Sequence, residues 1–213
     1  MSFDKTWEKK VYKKKLQINK YPFDQVVSLV NKFCKAKNKI KNSRVIELGC
    51  GTGNNLKFLG DFGFKSIIGI DGSVSAIKLA KKFLKSRNYK LLNSDFNNIP
   101  FKKNSFDLCI DRGSITHNNK ASIENIFYQI KKVLKPSGVF ISFLFSKKDS
   151  LFMESKSKSK KIENILFTSF FDQKEINKLF KSFKILHLVH EVKFDQLTKK
   201  NNAMWIVVAK NKI

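Results

Sequence analysis

The stretch Glu47-Leu48-Gly49-Cys50-Gly51-Thr52-Gly53-Asn54 carries three glycines at two-residue spacing, between an apolar run and a helix-like segment. Residues without a Cβ let the backbone turn sharply and approach a ligand, with the first amides of the following helix facing it. The spacing excludes two phosphate-binding loops. A nucleotide P-loop ends in Gly-Lys-Ser/Thr, which is absent, and the dinucleotide fingerprint needs its last glycine where Asn54 stands. The pattern points to a nucleoside ligand without a pyrophosphate. Asp71 follows at the end of the next strand-like segment, where a carboxylate can accept hydrogen bonds from both hydroxyls of a ribose. Alone, Asp71 would read as the start of a turn before Ser73. At this distance from the glycine loop it reads as the ribose acceptor.

Holding these residues together requires strands that end on one side of a sheet. From residue 44 onward strand-like and helix-like periods alternate, as in a parallel sheet covered by helices. Strands are predicted at 44–50, 66–70, 89–93, 106–111 and 139–145, and helices at 54–61, 73–85 and 123–134. Ser73 is the expected N-cap of the second helix, and Lys135-Pro136-Ser137-Gly138 the turn after the third. A helix over 172–181 opens on an Asp172/Glu175 capping pattern, and strands at 184–194 and 204–210 close the chain as an antiparallel edge pair. The expected fold class is therefore α/β: a doubly wound, mostly parallel seven-stranded sheet with an antiparallel C-terminal edge hairpin and helices on both faces. Residues 1–40 read as a Lys-rich helical cap broken at Tyr21-Pro22-Phe23. Residues 146–170, with the polar tract 155–161, read as a mobile surface loop or a substrate lid.

The 213 residues show no linker-like break, so a single domain over 1–213 is expected. A hydrophobic share of 42% with 21 Phe indicates a folded core. No secretory leader is visible in the opening residues and no apolar stretch approaches the ~20 residues that span a bilayer, so a cytoplasmic protein is expected. Cys34, Cys50 and Cys109 form no CxxC pair and are odd in number, which fits reduced thiols. His187 and His190, three apart on a strand, point to opposite faces, so no metal site is predicted. The net charge of +26 invites a nucleic-acid partner. Yet of 43 basic residues only Arg44, Arg87 and Arg112 carry the bidentate guanidinium that phosphate and base recognition favour. Lys accompanies abundant Asn, Ile and Phe, all read from A- and T-rich codons, so a solvated Lys surface is the simpler reading.

Five segments in order, ELGCGTGN, GIDGS, NSDFNNIPF, FDLCIDRGSITH and KKVLKPSGVFISF, resemble the motifs of the class I (Rossmann-like) S-adenosylmethionine-dependent methyltransferases of the small-molecule type. The resemblance covers roughly residues 40–145, and residues 171–183 and 205–210 are similar to the family's C-terminal end. It implies S-adenosyl-L-methionine as cofactor. Gly49, Gly51 and Gly53, with Cys50 in the same loop, would pass under its methionine part. Glu47 would hold the amino end, Asp71 with Gly72 the ribose, Asp95 the adenine amino group, and Phe96 the ring through its amide. Asp111 would face the methionine end and the acceptor. His117, in the loop that lines the family's acceptor pocket, is the candidate base for an acceptor that must lose a proton. Arg112 would bind an anionic acceptor or pair with a carboxylate such as Asp111. Tyr21 would reach the site if the N-terminal helices fold over the sheet. The expected acceptor is an O or N atom of a small molecule, because there is no added RNA-binding module and IDRGSITH stands where base amino-methyltransferases carry Asn/Asp-Pro-Pro-Tyr/Phe. An RNA- or protein-directed enzyme ranks second, and a non-catalytic binding subunit third.

Overall fold

Each of the first five strands is apolar along most of its length and must be covered on both faces. In the computed structural model, which describes residues 4–34, 40–85, 89–157 and 168–212, they are β1 (Arg44–Leu48), β2 (Ser66–Asp71), β3 (Tyr89–Asn93), β4 (Phe106–Arg112) and β5 (Leu134–Phe145). With β6 (Phe183–Asp195) and β7 (Lys200–Asn211) they form one sheet ordered β3-β2-β1-β4-β5-β7-β6. β1 to β5 are parallel, and β7 runs antiparallel to both of its neighbours. The C-terminal hairpin thus inserts its second strand against β5 and leaves β6 at the edge.

Alternate side chains divide between two cores. Val45, Leu108, Ile110 and Ile141 join one cluster, covered by α1 (Asp24–Phe33), α2 (Asn54–Phe62) and α3 (Val74–Leu84). Ile46, Leu48, Cys109 and Phe140 join the other, covered by α4 (Lys120–Val133) and a later helix over Gln173–Leu179. The doubly wound α/β expectation holds. Ser73 caps α3, its hydroxyl accepting from the Ala76 amide at 3.0 Å, and Asp172 with Glu175 forms a reciprocal capping box. No helix among the described residues is long and apolar enough to cross a membrane.

Three expectations need correction. Residues 135–138 are not a free turn but belong to β5: Phe106 pairs with Leu134 and Leu108 with Val139, the extra residues forming a bulge with Ser137 at φ +62°. Pairing of the flanking Leu134 and Val139 with β4 draws the turn residues into the strand as a bulge. Residues 146–170 contain a helix, α5 (Ser150–Ser157), where a loop was expected. Buried Asp149 fixes its start by accepting from the Leu151 amide and from Ala203 of β7, both at 2.9 Å. Residues 158–167, including the end of the polar tract, lie outside the described residues, and the helix over Gln173–Leu179 is therefore α6. The N-terminal cap is not two α-helices. Trp7–Tyr12 is a π-helix, with Lys13 donating to Glu8 and Leu16 to Val11, and the break before α1 extends over residues 13–23. Residues 1–3 and 35–39 of the expected cap, and Arg87, lie outside the described residues.

Gly53 shows how tightly α2 and α3 meet. Its φ is +88°, and a Cβ there would lie 3.0 Å from the Leu84 side chain of α3. Gly53→Ala combines left-handed strain with overpacking, so chemical denaturation should show a loss of about 1–3 kcal/mol with an unchanged m-value.

Candidate functional site

The carboxyl ends of β1 and β2 are tied by backbone hydrogen bonds. The Ile70 carbonyl accepts from Gly49 at 2.8 Å and Cys50 at 3.1 Å, drawing the glycine loop over the end of β2. Asp71, the last residue of β2, reinforces the tie: its Oδ2 accepts from the Gly51 amide at 2.9 Å and its Oδ1 from the Ser73 amide at 2.8 Å. Gly49 and Gly51 have left-handed φ of +67° and +52°. A Cβ on Gly49 would overlap Ser114, and one on Gly51 would lie 2.9 Å from the Tyr12 hydroxyl. Only glycine lets these loops close on one another.

Above this tie a cavity of about 320 Å³ opens at the carboxyl ends of the parallel strands, the usual ligand crevice of an open α/β sheet. Of the residues singled out from sequence, Glu47, Gly49, Cys50 and Gly51 line it from β1 and its loop. Asp71 and Gly72 line it from β2, and Asp95 and Phe96 from the turn after β3. Asp95 also caps the short 3-10 helix Phe96–Asn98 by accepting from Asn97 at 2.9 Å. Arg112 and His117 line it from the loop after β4. His117 lies edge-on to Trp7 with centroids 4.9 Å apart, and its Nδ1 is 3.2 Å from Thr168 Oγ1.

Three expected residues are elsewhere. Tyr21 is 84% exposed; its carbonyl accepts from Asn54, and its side chain does not line the cavity. Tyr12 takes the inward place. Gly53 serves the α2–α3 packing described above rather than the cavity wall. Asp111 lies fully buried behind the wall, where Oδ1 accepts from the amides of Ser114 at 2.9 Å and Ile115 at 3.0 Å, and Oδ2 is 3.2 Å from Ser142 Oγ. It shapes the 112–117 loop instead of facing a ligand. Sequence reasoning also missed Trp7, Tyr12, Phe23, Asn55 and Ser114, all on the lining. Residues 7 and 12 share a face only because the turn is π, since five residues span more than a full turn of an ordinary α-helix.

Charge in the cavity runs opposite to the chain as a whole. Asp4, Glu47, Asp71 and Asp95 line it, Arg112 is its cation, and no Lys lines it among the described residues. Burial pushes Glu47 up to about 8, with Asp111 and Asp71 adding repulsion that the Asn55 hydrogen bond at 2.7 Å only partly offsets. Its other oxygen, Oε2, is buried without a partner among the described residues. Burial likewise raises Asp71 to about 6 against the pull of the Ser73 and Gly51 amides, and Asp111 to about 6 against its hydroxyl and amide donors. Such a site suits a ligand that brings cationic groups to Glu47 and hydroxyl donors to Asp71, whose carboxylate has acceptor capacity beyond its two amides.

A family model described as a methyltransferase domain matches residues 39–209. The chain belongs to this family, the S-adenosylmethionine-dependent methyltransferases. The methyltransferase is similar to human EEF1A lysine methyltransferase 2, with 36% identity over 115 residues that make up 49% of each chain. It is 29% identical over 102 residues to the sterol 24-C-methyltransferase erg6 of Schizosaccharomyces pombe, covering 46% of this chain and 26% of that one. It thus spans about half or less of the curated relatives it matches. A solved methyltransferase from Anabaena variabilis superposes with a TM-score of 0.69 at 19% identity, covering 98% of this chain and 94% of that one, which shows the fold.

The raised Glu47 has a pH consequence for the ligand-free methyltransferase. Its folded pKa lies above its ordinary 4.5, so its contribution to stability is fully present below 4.5 and is lost as pH rises through about 8. Glu47→Gln keeps a neutral side chain at every pH. The fall in thermal midpoint between about pH 5 and 8 should be steeper in the wild type than in the variant, by scanning fluorimetry without ligand. Parallel curves would show that Glu47 is already ionised.

Proposed function

We propose that this methyltransferase acts on an oxygen or nitrogen atom of a small molecule. The observation that carries the reading is the enclosure of the cavity by the chain's own N-terminal residues. Trp7, Tyr12 and Phe23 line it, with Tyr12 over the glycine loop at Gly51 and Trp7 against His117. Glu8 latches this segment, with carboxylate oxygens 2.6 Å from the hydroxyls of Ser73 and Ser75 and accepting from the Ser75 amide at 3.1 Å. In this reading residues 1–213 work as one domain with the N-terminal residues as its cap, and Thr168 supports His117 from behind the lining.

The cavity lining fits S-adenosylmethionine. Glu47 would take the ammonium end through its unpartnered Oε2, Asp71 the ribose hydroxyls, Asp95 the adenine amino group and the Phe96 amide the ring edge. Gly49 and Gly51 would leave room for the methionine chain, with Cys50 and Gly72 completing the two turns. The donor supplies a methyl group already activated on a sulfonium, so the protein's task is to align the acceptor behind it and exclude water. Trp7 and Phe145 supply apolar walls for that alignment, with the His117 ring packed edge-on against both. For a hydroxyl acceptor, the His117 imidazole would receive the proton lost on attack.

Asp71→Ala should weaken S-adenosylmethionine binding by about 2–4 kcal/mol in calorimetry, because two charge-assisted hydrogen bonds are lost. Equal binding by wild type and variant would reject the ribose assignment. With a hydroxyl acceptor, His117→Ala should lower turnover about 100-fold at nearly unchanged cofactor affinity. Unchanged turnover would remove His117 as the base. The similarity to a lysine methyltransferase favours a second reading, a protein lysine acceptor. Labelled donor incubated with fractionated metabolites, cellular proteins and RNA separates these, and incorporation confined to protein or RNA would overturn the small-molecule reading.

A further inference from the structure

Arg112 is the one described cavity residue with a permanent positive charge, and its surroundings are unusual for a guanidinium. The group lies against two aromatic rings, 4.4 Å from the Phe23 centroid and 4.7 Å from that of Phe143. Aromatic contacts of this kind satisfy the planar charge but not its N–H donors, which still need acceptors. Nε is buried without a partner, and Nη1 has the Met204 sulfur at 3.6 Å, a weak acceptor.

Neighbouring carboxylates do not neutralise it. Asp111, Asp24 and Glu191 favour its charge from a distance, but none forms an ion pair with it among the described residues. Asp111 is committed to Ser114, Ile115 and Ser142. Glu191 accepts from Gln25 at 2.8 Å and pairs with Lys193 at 3.2 Å. Asp24 is exposed at the start of α1. A partly desolvated cation that lacks an oxygen partner is costly unless a ligand supplies one.

We propose that Arg112 is the specificity residue for the acceptor, and that the acceptor is a planar, carboxylate-bearing molecule with an apolar or aromatic body. The inference rests on the methyl-transfer reading of the cavity and names the substrate class it takes. A guanidinium without an oxygen partner can offer parallel N–H donors to a coplanar carboxylate. The Trp7, His117 and Phe145 walls accept the apolar body, His117 and Phe145 lying edge to face with centroids 5.9 Å apart. Among the described residues the lining carries one guanidinium and no Lys beside four carboxylates, which suits a single negative charge docked at Arg112 better than a phosphate dianion.

The test uses the full chain saturated with S-adenosylhomocysteine, whose binding is first confirmed by calorimetry. Benzoate, benzamide, phenyl phosphate and benzylamine are then titrated in turn. Benzoate should bind at least about tenfold more tightly than each of the others, and Arg112→Met should remove that preference. Arg112→Lys keeps the charge without the planar fork and should recover only part of it. Absence of S-adenosylhomocysteine binding would overturn the underlying reading, and this proposal with it. Product binding without a benzoate preference, tightest binding of benzylamine or phenyl phosphate, or full benzoate affinity in Arg112→Met would overturn the Arg112 assignment alone.

Discussion

The Asp71 carboxylate joins the parts of this site that are far apart in sequence. It holds the glycine loop through Gly51 and the entrance to α3 through Ser73. Ser73 in turn caps α3 and contacts Glu8 of the N-terminal π-helix. One buried anion therefore links the end of β1, the end of β2, a helix start and the cap. Two backbone amides lower its cost of burial without removing it, and its pKa stays raised. That residual cost leaves the carboxylate able to gain from further donors.

Burial also separates the cavity from the electrostatics of the surface. A chain with a net charge of +26 encloses a cavity bordered by four carboxylates and one guanidinium among its described residues. Exposed lysines act through solvent and ions that screen them within about 10 Å. Burial raises the proton affinity of Glu47, Asp71 and Asp111, by contrast, and through protein interior Asp111 and Asp71 raise that of Glu47 further. Bulk charge is thus a poor guide to what the cavity prefers.

Much of the fold was legible because its signals are local. Apolar runs marked the five parallel strands, and Ser73 and Asp172 marked helix starts through side chains that reach only three residues ahead. The glycine spacing was legible for the same reason. The misplaced elements were those in which distant partners decide. Residues 135–138 look like a free turn until β4 pairs with Leu134 and Val139 on either side of them, and Asp149 starts a helix with the help of Ala203 on β7. Tyr21 and Tyr12 look alike as N-terminal aromatics, and only the π-turn brings Tyr12 inward.

The sequence by itself determined the α/β alternation, the glycine loop and the acidic residue that follows it, because strand period, helix period and left-handed turns depend on neighbours within a few positions. Tertiary structure decided which carboxylates meet the cavity and which lie behind it. It turned Asp111 from a ligand-facing residue into a support for the 112–117 loop, and assigned Gly53 to helix packing. It also brought Phe23 and Phe143, residues far from each other along the chain, against Arg112. These outcomes depend on the relative position of packed surfaces, which no local spacing encodes.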